Sequence, residues 1–222
     1  MKQVPVEELV EAVRITLDEN QVESEYLATG TDNMELDELI RAKLAVAVRS
    51  IIEMCPSQLL DAESLDLRSV KPVDAGDGCG YILLPDDFLR LVSIKLKSWN
   101  RAVTSVAEEG SSTDLMQRNS FTRGTPLKPV CVFSHNAEGQ RTMEYFTAGK
   151  GEDGKADHSI ERALYIPLPI VRSGDSGDTI GIPALLRSSI VYYCAGLVEI
   201  SRGNSEQGDL FLKLATSNFN PS

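Results

Sequence analysis

Residues 91–97 read Leu-Val-Ser-Ile-Lys-Leu-Lys, and this stretch decides the fold class. Val92, Ile94 and Leu96 alternate with polar residues, which is the period of a β-strand with one face in solvent. Similar apolar runs predict extended segments at residues 81–84, 103–106, 129–134, 141–147 and 162–171. The Gly-, Ser- and Asp-rich segments between them are typical of hairpin tips and loops. The middle of the chain is therefore predicted to be an antiparallel β lobe.

Helical periodicity precedes this lobe. Pro5 stands where the first turn of an amphipathic helix is expected, and the apolar stripe of that helix reaches Leu17. A second, longer helix is predicted from Asp32 to Met54, with Glu35 three residues after Asp32 as in a capping box. The second half of this helix is apolar on more than one face, which indicates burial by several neighbours.

Helical periodicity also follows the lobe. One helix is predicted to open at Pro183 and to stop at Gly203, and another to cover about residues 205–216. The chain lacks βαβ alternation, so a doubly wound sheet is not expected. The prediction is an α+β fold, a helical bundle from both chain ends with an inserted antiparallel β lobe that is sandwich- or barrel-like. The predicted parts are N-terminal bundle helices at 1–66, the β lobe at 67–181, C-terminal bundle helices at 182–217 and a tail at 218–222.

The charge is strongly negative and unevenly distributed. The chain has 33 acidic and 22 basic residues, for a net charge of −11. Residues 1–66 hold 15 of the acids and only five of the bases. This balance argues against a basic nucleic-acid reader or a cationic membrane binder. The N-terminus interrupts its apolar residues with acids, so no signal peptide is expected, and no run approaches the ~18 apolar residues of a membrane span.

The sequence predicts no catalytic, cofactor or metal site. Its four cysteines are far apart without a Cys-x-x-Cys pair, which excludes a zinc ribbon and favours isolated reduced thiols. The two histidines, His135 and His158, lie in predicted loops and belong to no metal or catalytic motif. The glycine cluster at 76–80 precedes a strand instead of opening a helix, so we interpret it as a turn and not as a phosphate cradle.

A series of short motifs in the middle of the chain carries the most specific information. The first predicted strand of the series ends in Leu-Pro-x-Asp, and the second is followed by Trp-x-Arg. A Gln-x-Asn segment and a Gly-Thr-Pro sequence then precede a third predicted strand. These motifs occupy residues 80–91, 99–103, 117–126 and 128–130. In this order they resemble the head–tail connector proteins of tailed bacteriophages, the adaptor or tail tubular protein A type, including ring proteins of podoviruses and crAss-like phages.

The resemblance implies a structural virion protein without enzymatic activity. Such proteins form homo-oligomeric rings, commonly of twelve subunits, below the portal at the head–tail junction. They contact the portal protein and further tail or ring proteins, and DNA passes through the ring without sequence-specific binding. The expected location is the virion, after assembly in the host bacterial cytoplasm, with no membrane contact.

A ring subunit needs two different faces for its neighbours. Arg101, Arg118 and Arg123 lie in or beside the matched motifs, and we expect them to pair across subunits with the acidic helices. Trp99 and Phe121 are the expected apolar interface anchors, because they are large and stand beside polar neighbours. The tail after residue 219 is a candidate for docking on the portal or a frayed end.

Three alternatives stay open. The β lobe with its acidic loops also fits a ligand- or carbohydrate-binding module of a soluble protein. A hydrolase whose site forms only in three dimensions is a further hypothesis. Within the ring hypothesis, the acidic helices of residues 1–66 either line the DNA channel, where they would repel phosphates, or face solvent and a basic partner.

Overall fold

The computed structural model describes residues 2–19, 30–66, 70–174, 177–217 and 219. Of residues 18–19 and 30–35 it describes the backbone only. It divides into two compact units. The terminal unit combines both chain ends, Met1–Asp61 and Leu168–Ser222. The central unit is Ala62–Pro167.

Ten strands and five α-helices form within the described residues. The strands are β1 (Lys2–Pro5), β2 (Glu63–Ser64), β3 (Val73–Gly76), β4 (Cys79–Leu83), β5 (Phe88–Leu96), β6 (Cys131–His135), β7 (Arg141–Tyr145), β8 (Ile160–Pro167), β9 (Val171–Gly174) and β10 (Gly177–Ile182). The helices are α1 (Val6–Glu19), α2 (Gly30–Met54), α3 (Ser112–Gln117), α4 (Arg187–Ser201) and α5 (Ser205–Ser217). Short 3₁₀ turns cover Ser57–Leu59 and Ala184–Leu186.

The terminal unit packs helices with a small sheet. Helix α4 contacts α1, α2 and α5, and α1 also contacts β10. The sheet has the order β1-β10-β9 and is antiparallel, with Val4 opposite Ile180. Helices α4 and α5 approach closely at Gly196, where a Cβ would lie 2.9 Å from the Gly208 carbonyl oxygen. A side chain at Gly196 would therefore push the two helices apart.

The expected fold class is wrong. The protein is a mixed α/β chain with three mostly antiparallel sheets, and its helices do not form a bundle built from both chain ends. The sheet β1-β10-β9 belongs to the same unit as α1, α2, α4 and α5, and α3 lies in the central unit. The periodicity of single segments could not show this, because the sheet joins residues 2–5 to residues 177–182.

The central unit holds the other two sheets, with strand orders β2-β8-β5 and β3-β4-β7-β6. Buried side chains from both sheets join in one apolar core. Ile82, Ile94, Leu96, Met143 and Tyr145 are its least accessible large members. The core holds β4 and β7 in place, and the motif segment at residues 117–126 contacts β7 and the turn before β4.

Several local predictions differ from the structure. Pro5 ends strand β1 opposite Thr179, and the first helix begins one residue later. Residues 103–106 make only an isolated bridge from Val103 to Ile94. The capping box of Asp32 and Glu35 lies outside the described side chains, as does the predicted tail apart from the buried Phe219.

The described part of the chain contains neither a candidate membrane-spanning helix nor a cluster of candidate metal ligands. No helix there is long and apolar enough to cross a membrane. The same residues contain no group of three or more His, Cys, Asp or Glu side chains placed to hold a metal ion. All four cysteines are free thiols.

Candidate functional site

The last two matched motifs lie in one segment, residues 111–130, which we call the clamp segment. It begins with the six-residue helix α3, whose N-cap is Ser111. The Ser111 hydroxyl accepts a hydrogen bond from the Asp114 amide over 3.2 Å, and the Asp114 carboxylate accepts one from the Gly110 amide over 2.9 Å. The Ser111 hydroxyl thus satisfies an amide of the first turn, and the buried Asp114 carboxylate holds the residue before the N-cap.

A hydrogen-bonded loop follows α3. The Gly124 amide donates to the Gln117 side-chain oxygen over 2.7 Å, and the Gln117 amide group donates to the Thr113 carbonyl over 3.1 Å. Within the loop, the Phe121 amide donates to Asn119 Oδ1 over 2.9 Å, and the Thr122 hydroxyl donates to a backbone carbonyl of α3. Side chains therefore replace the regular backbone ladder that this loop lacks.

Arg118 ties the clamp segment to strand β7. Its Nε donates to Asp114 over 2.9 Å, one of its terminal nitrogens lies 2.9 Å from Glu144, and the guanidinium lies 5.2 Å from the centre of the Phe146 ring. Burial alone would lower the pKa of Arg118, but attraction to Glu144 and Asp114 outweighs it and raises the pKa. The charge is therefore permanent and already neutralised within the chain.

Arg123 ties the other end of the segment to the β3–β4 turn. Its guanidinium donates to the Asp77 carboxylate over 2.9 Å and lies 3.2 Å from the Cys79 sulfur. Asp77 is in the left-handed backbone region, with φ 53°, so this ion pair also supports a strained turn residue. Burial raises the pKa of the Cys79 thiol, and nearby Arg123 only partly opposes this rise. The thiol consequently stays protonated at neutral pH and is a poor nucleophile.

A cavity of about 250 Å³ lies where the clamp segment meets the sheet β3-β4-β7-β6. Its lining combines paired charges, an amide and aromatic rings. The lining residues are Ala75, Cys79, Gly80, Tyr81, Gln117, Arg118, Arg123, Glu144, Tyr145 and Phe146. The cavity therefore suits a small polar molecule with an aromatic or apolar face.

A chain of polar contacts runs behind the cavity. The Tyr145 hydroxyl lies 2.7 Å from His158 Nδ1, and His158 Nε2 lies 3.3 Å from the Asp74 carboxylate. Burial, followed by repulsion from Asp74, raises the pKa of Tyr145. The hydroxyl thus stays protonated, and its contact with the imidazole holds the two side chains in place.

The indole of Trp99 joins this network from the core. Its Nε1 donates to the Thr147 carbonyl over 2.7 Å, and its ring packs edge-on against Tyr145 at 6.0 Å. The Thr147 hydroxyl in turn donates to the Gly124 carbonyl over 2.6 Å. Thr147 thereby links the Trp-x-Arg motif to the Gln-x-Asn…Gly motif.

The clamp segment exposes several large apolar side chains. Phe121 is 96% exposed, and three further large apolar side chains of the segment are more than half exposed. We call Leu115, Met116, Phe121 and Leu127 the loop patch. Because hydrogen bonds hold the backbone beneath it, these exposed side chains stand on an ordered support.

The five predicted interface residues occupy different environments. Trp99 is buried in the core of the central unit, where it packs within its own subunit. Arg118 and Arg123 form ion pairs with Asp114, Glu144 and Asp77 of the same chain. Phe121 and Arg101 are exposed. Trp99 is thus enclosed within its own subunit, and the interface roles expected for the other four residues stay predictions.

Sequence reasoning missed four side chains of this framework. Asp114, Gln117, Tyr145 and His158 carry its buried polar contacts. For Asp114 a signal was present, since Ser111 stands three residues before it as an N-cap does. For Tyr145 and His158 no local signal exists, because their contact joins a strand to a loop 13 residues away.

Comparison with known proteins does not assign the chain to a family. No family model matches this sequence, and no curated protein is significantly similar to it.

Proposed function

We propose that this chain is a structural virion protein that forms a ring at the phage head–tail junction, below the portal, and provides a conduit for DNA. The observation that carries the proposal is the connection among the motif residues. The Trp99 indole donates a hydrogen bond to the Thr147 carbonyl, and the Thr147 hydroxyl donates one to the Gly124 carbonyl. The Gly124 amide in turn donates to the Gln117 side chain. Two of the motifs that resemble those of connector proteins, the Trp-x-Arg and Gln-x-Asn…Gly motifs, are thus joined in space through Thr147, which gives both a structural role in the central unit.

The framework is also suited to assembly. It holds Phe121 almost fully exposed at the tip of an ordered loop, and an apolar side chain in that position gains most by burial against another protein. The proposed partners are further copies of this chain in a ring, commonly twelve in such proteins, the portal protein, and other ring or tail proteins. The proposed location is the virion, after assembly in the host bacterial cytoplasm.

The acidic balance of residues 1–66 fits two arrangements within this proposal. Acidic helices that line the channel would repel DNA phosphates and let the genome slide, whereas outward-facing ones would attract a basic partner. A ring structure with these helices remote from its channel would eliminate the first arrangement and leave the second.

The direct test is electron microscopy of phage particles, and of the portal protein co-expressed with this chain. We expect a ring below the portal whose density accommodates the central unit. Tandem mass spectrometry of purified particles supplies the independent readout. Absence of the protein from the particles would overturn the proposal.

The cavity favours a second candidate, a ligand- or carbohydrate-binding module. Its lining of tyrosines, the Phe146 ring and the Gln117 amide resembles the mixture of aromatic faces and polar groups that holds sugars. A thermal-shift screen with mono- and disaccharides, with and without calcium, tests it. Stabilisation that disappears in Tyr81→Ala would support this candidate, and no shift with any sugar would dismiss it.

A further inference from the structure

A second apolar surface lies on the terminal unit. Leu210 and Leu214 stand one turn apart on α5, so they share one face of the helix, and they are 54% and 50% exposed. We call this pair the α5 patch. Phe211 and Ala215, each one residue further along and therefore about 100° round the helix, are buried, so the apolar side of α5 extends from its buried face onto its exposed face.

The charges that border the two patches are complementary. The Asn100 amide donates to the Pro126 carbonyl over 3.0 Å, which brings the exposed Arg101 beside the turn that carries Leu127 and Lys128. Neither Arg101 nor Lys128 forms a salt bridge with the described residues. The loop patch is thus bordered by free positive charge.

Acidic residues border the α5 patch. Glu206 precedes Leu210 by one turn and Asp209 is its neighbour, and both are exposed without a salt bridge to the described residues. Lys213 is the one basic residue of the helix, which leaves α5 with a net negative charge. Glu206 lies in the first turn of α5, where the helix dipole favours a negative charge.

We propose that the loop patch of one copy packs on the α5 patch of a second copy. The choice of a second copy rests on the proposed ring assembly, and the choice of surfaces rests on their matching apolar character and opposite border charges. Because the two patches differ, the contact is heterologous and leaves one free patch at each end of a dimer. Repeating it builds a closed ring or an open filament, whereas a self-complementary contact would stop at two copies.

Two variants each remove one patch. Phe121→Asp places an acid opposite Glu206 and Asp209. Leu214→Gln replaces an apolar side chain of the α5 patch with a neutral polar one, so the two altered patches cannot form an ion pair with each other. Both replace exposed side chains, so both proteins should fold, and circular dichroism checks this. We expect each variant alone to lose self-association by at least about 30-fold in dissociation constant, the effect of removing one interface anchor. The control is Val46→Lys, an equally exposed apolar position on α2.

Mixing the two variants is the decisive experiment. Each retains the patch that the other has lost, so the mixture should form a one-to-one dimer and nothing larger. Sedimentation velocity measures this, and raised salt should weaken the dimer because border charges contribute. The proposal is overturned if the mixture stays monomeric, if either variant associates like the wild type, or if Val46→Lys loses association equally. A wild-type chain that stays monomeric at its solubility limit, alone and with the portal protein, also overturns it.

The outcomes separate this inference from the proposed function. If the variants and their mixture behave as expected but no ring is found below the portal, the patch contact stands and the phage role fails. If a ring is found and Phe121→Asp leaves it intact, the phage role stands and the patch contact fails.

Discussion

The side-chain oxygen of Gln117 lies 2.7 Å from the Gly124 amide, and this hydrogen bond closes the loop that presents Phe121. Gln117 is buried although it is polar, because both ends of its amide have partners. The most exposed large apolar side chain of the described residues therefore depends on one of the most buried polar ones. In the clamp segment, the buried Gln117 therefore maintains the loop conformation, and the exposed Phe121 is the side chain that a partner could contact.

Gln117→Ala should loosen the clamp segment. The variant leaves the Gly124 amide without its acceptor and the Thr113 carbonyl without its donor, so we expect a loss of about 1–3 kcal/mol in the free energy of unfolding. Urea unfolding followed through Trp99, the single tryptophan, measures the loss in the central unit. Hydrogen exchange at the Gly124 amide should also accelerate. Gln3→Ala on an exposed strand position is the control, and unchanged exchange at Gly124 would contradict the assignment.

Gly80→Ala should destabilise the central unit. A Cβ at Gly80 would overlap the Tyr145 hydroxyl and lie 2.7 Å from the Val73 carbonyl oxygen, which is backbone and cannot easily move. We expect a cost of about 2 kcal/mol or more, together with displacement of Tyr145 from His158. Gly174→Ala is the matched control, because its Cβ would meet nothing closer than 3.7 Å. Equal urea midpoints for the two variants would argue against the close approach.

Phe121→Ala and Phe88→Ala should have opposite outcomes. Phe121 contributes little to folding because it is exposed, so its truncation should change the unfolding free energy by at most about 0.5 kcal/mol. Phe88 is 3% exposed and stacks on Tyr165 at 5.5 Å, so its truncation should cost about 3–5 kcal/mol. Calorimetry of both proteins tests the pair, and a large loss in Phe121→Ala would mean that Phe121 packs within its own chain.

Local periodicity predicted the four long helices and strands β4 to β8, but it missed β1 to β3, β9, β10 and α3 and did not give the register. Strand β5 confirms the strand expected at residues 91–97, yet Ser93, expected in solvent, is 5% exposed. A β-bulge between Leu91 and Ser93 shifts the pairing with β8 and turns Ser93 inward. The alternation at 162–171 likewise predicted a longer strand, but β8 ends at Pro167, and Pro169 cannot donate to a ladder either.

Two ion pairs of the candidate site, Arg118 with Glu144 and Arg123 with Asp77, could not be predicted, unlike the local pair of Arg118 with Asp114. Arg118 and Arg123 were expected to pair across subunits, and the partners they have in the structure lie as far as 46 residues away. A single sequence does not reveal which acid approaches which base when strands intervene. The exposure of Phe121 was easier to anticipate, since it stands among Asn, Ser, Thr and Arg in a segment without strand periodicity. The same argument also predicts an interface position for Trp99, but Trp99 is buried in the core, so the polarity of neighbours alone does not decide exposure.

Alkaline pH should destabilise the protein partly through Tyr165. Burial, followed by repulsion from Asp87, raises the pKa of Tyr165 to about 12, and its hydroxyl donates to Asp87 over 3.2 Å. Between pH ~10 and ~12 the unfolded chain therefore releases a proton that the folded chain retains. The contribution of Tyr165 to the free energy of unfolding is therefore fully present below pH ~10. It is lost as the pH rises towards the pKa of Tyr165 in the folded chain, at up to about 1.4 kcal/mol per pH unit.

Tyr165→Phe isolates this contribution. Its unfolding free energy should be lower than that of the wild type at neutral pH, because the hydrogen bond to Asp87 is lost, but it should fall less steeply above pH ~10. Some slope should remain, since burial also raises the pKa of Tyr145. Urea unfolding at a series of pH values, monitored by Trp99 fluorescence, gives both slopes. Parallel curves for variant and wild type from pH 9 to 12 would show that the Tyr165 phenol ionises as freely in the folded chain as in the unfolded one, and that its burial against Phe88 and Asp87 is not maintained in solution.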